Sequence, residues 1–114
     1  MQINVRKEEG VVILDLDGKL TIGDGDVKLR EEVKAQLSEG QKKLILNLKR
    51  VSTMDSSGLG ELIRCKESAR NAEATIKLLH VEDKVQEVLE MTRLIGVFDN
   101  FNEETDALHS YRES

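Results

Sequence analysis

An apolar stretch, a cluster of small polar residues and an amphipathic pattern follow one another without a break between Lys43 and Ala72, and few folds accommodate that order. Lys43 to Leu48 alternates polar and apolar side chains around a continuous Leu44-Ile45-Leu46, which predicts a strand buried on most of its surface. Beyond it, Leu59, Leu62, Ile63, Lys66, Ala69 and Ala72 recur at helical spacing, with Glu61, Arg64, Glu67 and Arg70 on the opposite face. Val51 to Gly60 is therefore predicted to be a strand-to-helix loop. A strand that feeds a helix in this way is the building unit of an α/β domain.

The link itself is chemically unusual. Asp55, Ser56 and Ser57 carry short polar side chains that compete for backbone N–H groups, and any of them suits the cap of the following helix. A capped helix alone does not explain Gly58 and Gly60. Each stands in the first helical turn, where glycine costs roughly 1 kcal/mol relative to alanine, so something other than helix stability asks for bare backbone there, a close partner surface being one candidate.

Met54-Asp55-Ser56-Ser57-Gly58-Leu59-Gly60 resembles the signature of the STAS domain, in particular of the bacterial anti-sigma-factor antagonists. The resemblance runs over nearly the whole chain. It includes Gly18-Lys19-Leu20-Thr21, where the family often has Gly-Glu-Leu-Asp, and the later Leu94-Ile95-Gly96-Val97-Phe98. It implies that Ser57, the second serine of the pair, is phosphorylated by an anti-sigma factor that doubles as a serine kinase and binds the ATP. It implies also that Asp55, Ser56, Ser57, Gly58, Leu59 and Gly60 form the partner-binding loop. The unphosphorylated protein would then bind the anti-sigma factor and free the sigma factor, and a phosphatase would reset the switch. No cofactor or metal is expected. Lys19 and Thr21 replace the carboxylates usual in the family.

Around this centre the chain reads as one domain, residues 1 to 114. Ile3 and Val5 alternate with polar neighbours, Glu9-Gly10 makes a turn, and Val11 to Asp17 returns as a second strand that stops at Gly18. Gly23-Asp24-Gly25-Asp26 is a loop, with Asp26 placed to cap a helix whose Leu29, Val33 and Leu37 share a face and which Gly40 ends. Ala74 to His80 is a strand, and a third helix presents Val85, Val88, Leu89 and Thr92. Leu94 to Phe101 is a short strand or loop, after which Asn102 caps a last helix that turns Ala107, Leu108 and Tyr111 inward, before the final residues fray. The expected architecture is α/β: a small mixed sheet of about four strands with about four helices packed over it.

Charge and composition narrow the function. The net charge is −5, and residues 71 to 114 hold 4 basic and 10 acidic side chains against 13 and 12 in residues 1 to 70. With 3% aromatic residues and no Trp, neither a basic surface nor a stacking platform for nucleic acid is expected. Met1 to Glu9 does not read as a signal peptide and no apolar run approaches the ~18 residues of a membrane span, so a cytoplasmic protein is expected. Cys65 is the only cysteine and falls on the helical pattern as an inert thiol. His80 and His109 have no partner at zinc spacing, and Gly23-Asp24-Gly25-Asp26 lacks the later glutamate of a calcium loop.

Two other readings remain. Within the same fold, the chain could be a STAS scaffold subunit of a sensory (stressosome-like) or transporter assembly. From another class, Val12-Ile13-Leu14-Asp15-Leu16-Asp17-Gly18 resembles the first motif of the haloacid-dehalogenase phosphotransferases, which would make Asp15 a nucleophile and Glu82-Asp83 part of a magnesium site.

Overall fold

The computed structural model describes residues 1–112, and the fraying expected of the final residues concerns positions outside that range. Strands β1 (Gln2–Glu8) and β2 (Val11–Leu20) form the expected hairpin. Glu9 and Gly10 both adopt positive φ, 52° and 78°, the combination that matches a two-residue turn to the twist of its strands. From β2 onward every strand is reached through a helix. Helix α1 (Gly25–Ser38) leads to β3 (Lys43–Met54) and α2 (Ser56–Asn71) to β4 (Thr75–Leu79). Helix α3 (Asp83–Met91) and a 3₁₀ turn, Ile95–Val97, lead to β5 (Asn100–Phe101), and α4 (Glu104–Ser110) follows. The sheet order is β1-β2-β3-β4-β5, antiparallel at the hairpin and parallel thereafter.

The two faces of the sheet are covered unequally. One carries the main core, in which Leu14, Leu16, Leu46 and Leu78 meet Leu29 and Val33 of α1, Leu62 and Cys65 of α2, and Val85 and Leu89 of α3. On the other, Val11, Ile13, Ile45 and Leu79 form a smaller cluster beneath Ala107 and Leu108 of α4 and Tyr111 just past its end. The Tyr111 hydroxyl lies 2.7 Å from the carbonyl oxygen of Leu44 and 2.9 Å from that of Thr75. It pins the end of the last helix across two strands.

Several boundaries differ from the sequence expectation. Among the described residues the sheet has five strands, in keeping with the about four expected, and the stretch from Leu94 to Phe101 divides into the 3₁₀ turn, the buried Phe98 and the two-residue β5 beside Leu78 and Leu79. Strand β2 does not stop at Gly18 but continues to Leu20, and β3 runs six residues beyond Leu48. Both extensions end in buried side chains, Leu20 and Met54, which pair with each other. Two register shifts, at Asp15/Asp17 and Gly18/Lys19, let the ladder continue where simple alternation fails.

The caps differ too. Helix α1 begins at Gly25 with Asp24 at its N-cap, while Asp26 lies inside the first turn and accepts from the N–H of Val27 at 2.7 Å. Asp24 instead binds the amino terminus of Met1 at 3.1 Å. Glu103, not Asn102, occupies the N-cap of α4, and no side chain caps that helix. Gly40 does end α1, at φ 85°, with its own N–H on Leu37 and that of Gln41 on Gln36, the paired closure that glycine permits.

Tyr111→Phe is expected to lower stability by about 1 kcal/mol, because the two strand carbonyls lose a buried donor while the ring remains packed. A urea titration should show a lower midpoint with an unchanged slope.

Candidate functional site

A single residue, Asp55, separates β3 from α2. The predicted loop is therefore mostly absent: Val51 to Met54 belong to the strand and Ser56 to Gly60 to the helix. Asp55 holds this abrupt junction with both carboxylate oxygens. Oδ1 accepts from the N–H of Gly58 at 2.9 Å, the reach of an N-cap into the first turn, and Oδ2 accepts from the N–H of Ile22 at 3.1 Å. Its own N–H donates to the carbonyl of Leu20 at 3.4 Å. The N–H groups of Gly58 and Ile22 hold its carboxyl below the ordinary value, because they stabilise the charged form.

Gly58 explains why the junction can be so tight. A Cβ placed there would stand 1.9 Å from the carbonyl oxygen of Leu20. At the start of α1, a Cβ on Gly25 would stand 2.2 Å from the carbonyl oxygen of Lys19 and 2.7 Å from the Cα of Leu20. Two helix N-termini thus converge on the last residues of β2. What demands bare backbone at Gly58 is the chain's own Leu20, where a partner surface was the candidate expected. Gly60 differs: a Cβ there would meet only the guanidinium of Arg64, at 3.5 Å.

The residues of the expected partner-binding loop separate accordingly. Gly58 and Leu59 are buried, Ser56 is exposed, and Asp55, Ser57 and Gly60 are half-buried. Among the described residues, neither serine hydroxyl has a hydrogen-bond partner within the chain. Beside them, Ile22 is 73% exposed, an apolar side chain on backbone fixed by Asp55.

Glu61 is the residue that periodicity misplaced. Expected on the solvent face with Arg64, it is 1% exposed, and its Oε1 accepts from Arg30 Nε at 2.9 Å and from Arg64 Nε and Nη2 at 3.4 Å each. Its first partner belongs to α1. A pattern confined to one helix gives no sign that another helix supplies an arginine. Lys66, expected inside, is only half-buried and lies over the Phe98 ring at 5.6 Å. Cys65 is buried as expected; burial and then the nearby Glu61 carboxylate push its thiol well above the usual range.

The phosphotransferase motif is taken apart by its surroundings. Asp15 accepts from Arg6 Nε at 2.6 Å, Arg6 Nη2 at 3.0 Å and Asn47 Nδ2 at 2.8 Å, on the face of the sheet away from α1, α2 and α3. Burial raises its carboxyl, but the hydrogen bonds from Arg6, Asn47 and Asn4 outweigh this and leave it below the ordinary value. Glu82 and Asp83 sit at the start of α3. Asp15 is thus an ion-pair partner whose oxygens are occupied, an arrangement unlike a free nucleophile.

Residues 2–107 match the model of the STAS domain. The chain belongs to the STAS domain family. It is 26% identical over 108 residues to the anti-sigma F factor antagonist of Paenibacillus polymyxa, covering 95% of this chain and 92% of the relative. In fold it is similar to a provisionally named anti-sigma factor antagonist of Thermotoga maritima, with a TM-score of 0.87 and 24% identity over 96% of this chain and 94% of that one. It is similar also to the Bacillus cell fate determinant SpoIIAA in its phosphorylated form, with a TM-score of 0.74 and 20% identity over 96% and 99% of the two chains. STAS proteins of this group are regulatory binding proteins, not enzymes. Among the described residues no helix is long and apolar enough to cross a membrane.

The two glycines should respond with opposite signs. Gly58→Ala is expected to cost roughly 1–3 kcal/mol, because backbone on both sides must move, whereas Gly60→Ala should stabilise by up to about 1 kcal/mol; thermal melts of both variants check this. Asp55→Asn keeps an acceptor for Gly58 but removes the titration. Since the folded-state carboxyl is depressed, the stability it contributes is complete above the unfolded value of about 3.9 and is lost as pH falls through the lower folded value. Urea midpoints at pH 6 and pH 3 should therefore fall further in the parent protein than in Asp55→Asn.

Proposed function

We propose that this STAS domain is an anti-sigma-factor antagonist switched by phosphorylation of Ser57. The observation that carries the reading is the half-buried Ser57, its hydroxyl without a hydrogen-bond partner among the described residues, on a helix turn that Asp55 and Gly58 clamp to the body of the domain. The names of its relatives supply the partner class. In the unmodified state the surface around Ser56, Ser57 and Gly60 docks on the anti-sigma factor and so frees the sigma factor in the cytoplasm. The anti-sigma factor, acting as a serine kinase, carries the ATP. Ser57 Oγ forms a bond to the γ-phosphorus, the bond to the bridging oxygen breaks, ADP leaves, and the hydroxyl proton passes to a base of the kinase. A phosphatase returns the serine by hydrolysis.

Magnitudes favour a switch at the interface over one in the fold. At the amino end of α2 an anion gains roughly 0.3–1 kcal/mol from the macrodipole and free N–H groups. In a protein contact the same group, with about −1.5 to −2 charges, must be desolvated or repelled. An unpaired charge in such a contact costs on the order of 2–5 kcal/mol. The interface effect is the larger.

The phosphoprotein should keep its circular dichroism spectrum and melt within a few degrees of the unmodified form, yet bind the kinase at least ~30-fold more weakly, or about 2 kcal/mol. Ser57→Ala should bind constitutively and Ser57→Asp poorly. Tryptic mass spectrometry after incubation with the kinase and Mg-ATP should place one phosphate on Ser57; phosphate confined to Ser56, or affinity unchanged by modification, would refute the reading.

A further inference from the structure

Of the two acidic residues of α2, Glu67 lies in solvent while Glu61 is 1% exposed. Burying one carboxylate calls for one cation, yet Glu61 has two. Arg30 binds it at 2.9 Å, and Arg64 makes two longer contacts of 3.4 Å. Both arginines keep much of their side chain in water, 50% and 60%. Arg64 is the more loosely held. Its guanidinium lies across Gly60, with the terminal nitrogens 3.5 and 3.6 Å from where a Cβ would stand.

That position has a direction. Ser57, Gly60 and Arg64 are three and seven residues apart and so share one stripe of the helix. Long helical side chains lean toward the N-terminus, which for Arg64 means across the bare backbone of Gly60 toward the turn that carries Ser57. A side chain at residue 60 would stand in this path.

We propose that Arg64 is the intramolecular receptor of the phosphoryl group on Ser57, leaving Glu61 for the phosphate when Ser57 is modified while Arg30 remains behind. The proposal rests on Ser57 as the phosphorylated residue. A phosphoserine offers three acceptor oxygens and about −1.5 to −2 charges, which suit the planar fork of a guanidinium better than a carboxylate already shared with another arginine. Removing the only cation from a buried carboxylate would be strongly unfavourable; the shorter Arg30 contact avoids that. Phosphorylation then changes the docking surface twice, by adding an anion and by withdrawing an exposed cation. Asp55 stands two residues before Ser57, and Asp26 of α1 is a charged neighbour of Arg30.

The test needs no kinase. Phosphoserine is placed at residue 57 by genetic encoding, so a failure of the kinase reading and a failure of this one are separate results. In the phosphoprotein, the ¹H–¹⁵N signal of Arg64 Nε should move with pH in step with the ³¹P signal, while that of Arg30 stays on Glu61 and does not. Arg64→Gln should raise the second phosphate pKa by about half a unit or more, since a nearby cation favours the dianion. An Arg64 signal indifferent to the titration of the phosphate, or one from Arg30 that follows it instead, would overturn the proposal. The measurement on the unsubstituted chain decides even if Arg64→Gln folds poorly.

Discussion

The close approach of two helices to the backbone of Lys19 and Leu20 governs the working end of this domain. Gly25 and Gly58 permit it, and no side chain larger than hydrogen fits at either position without moving main chain. The contact brings the starts of α1 and α2 together, sets Arg30 within reach of Glu61, and lets Asp55 bond to both Ile22 and Gly58. The partly exposed serine is a consequence of this packing. With Leu59 and Leu62 turned into the core, helical spacing leaves Ser56, Ser57 and Gly60 toward the outside.

Electrostatics add a second level of order. Arg6 joins Asp15 of β2 to Glu104 of α4, so an ion pair continues on the far face of the sheet where the apolar cluster under α4 ends. The same Asp15 sits in a stretch that resembles an enzyme motif. Its chemistry is decided by what the hairpin and β3 place opposite it, namely Arg6, Asn4 and Asn47, none of which is near it in sequence.

What was legible in the chain was what depends on near neighbours. The Glu9-Gly10 turn, the Gly40 stop, the face of α1, Val85 and Leu89 of α3 though not the exposed Thr92, the inward residues of the last helix and the alternation of strands with helices all follow from local patterns. The Met54–Gly60 stretch carried the resemblance to the family. Features that depend on distant partners were not visible. Strand β3 outlasts its alternation because β2 still pairs with it at Met54; Glu61 is buried because Arg30 lies on another helix; Gly58 is required by Leu20. The cap of α2 was legible, since Asp55 accepts from the N–H of Gly58, but that of α1 was not: Gly25 needs close contact and Asp24 meets the amino terminus.

The one-residue passage from β3 to α2 also limits how the chain can vary in length. Surface connections are where domains commonly accept insertions, and the turns after α1 and α2, at the opposite end of β3, have room for them. Between Met54 and Ser56 there is none: an added residue would rotate the helix by about 100°, carrying Leu59 and Leu62 out of the core and Gly58 away from Leu20. One end of the domain can thus be lengthened at little cost to the fold, while the other can change only by exchanging side chains.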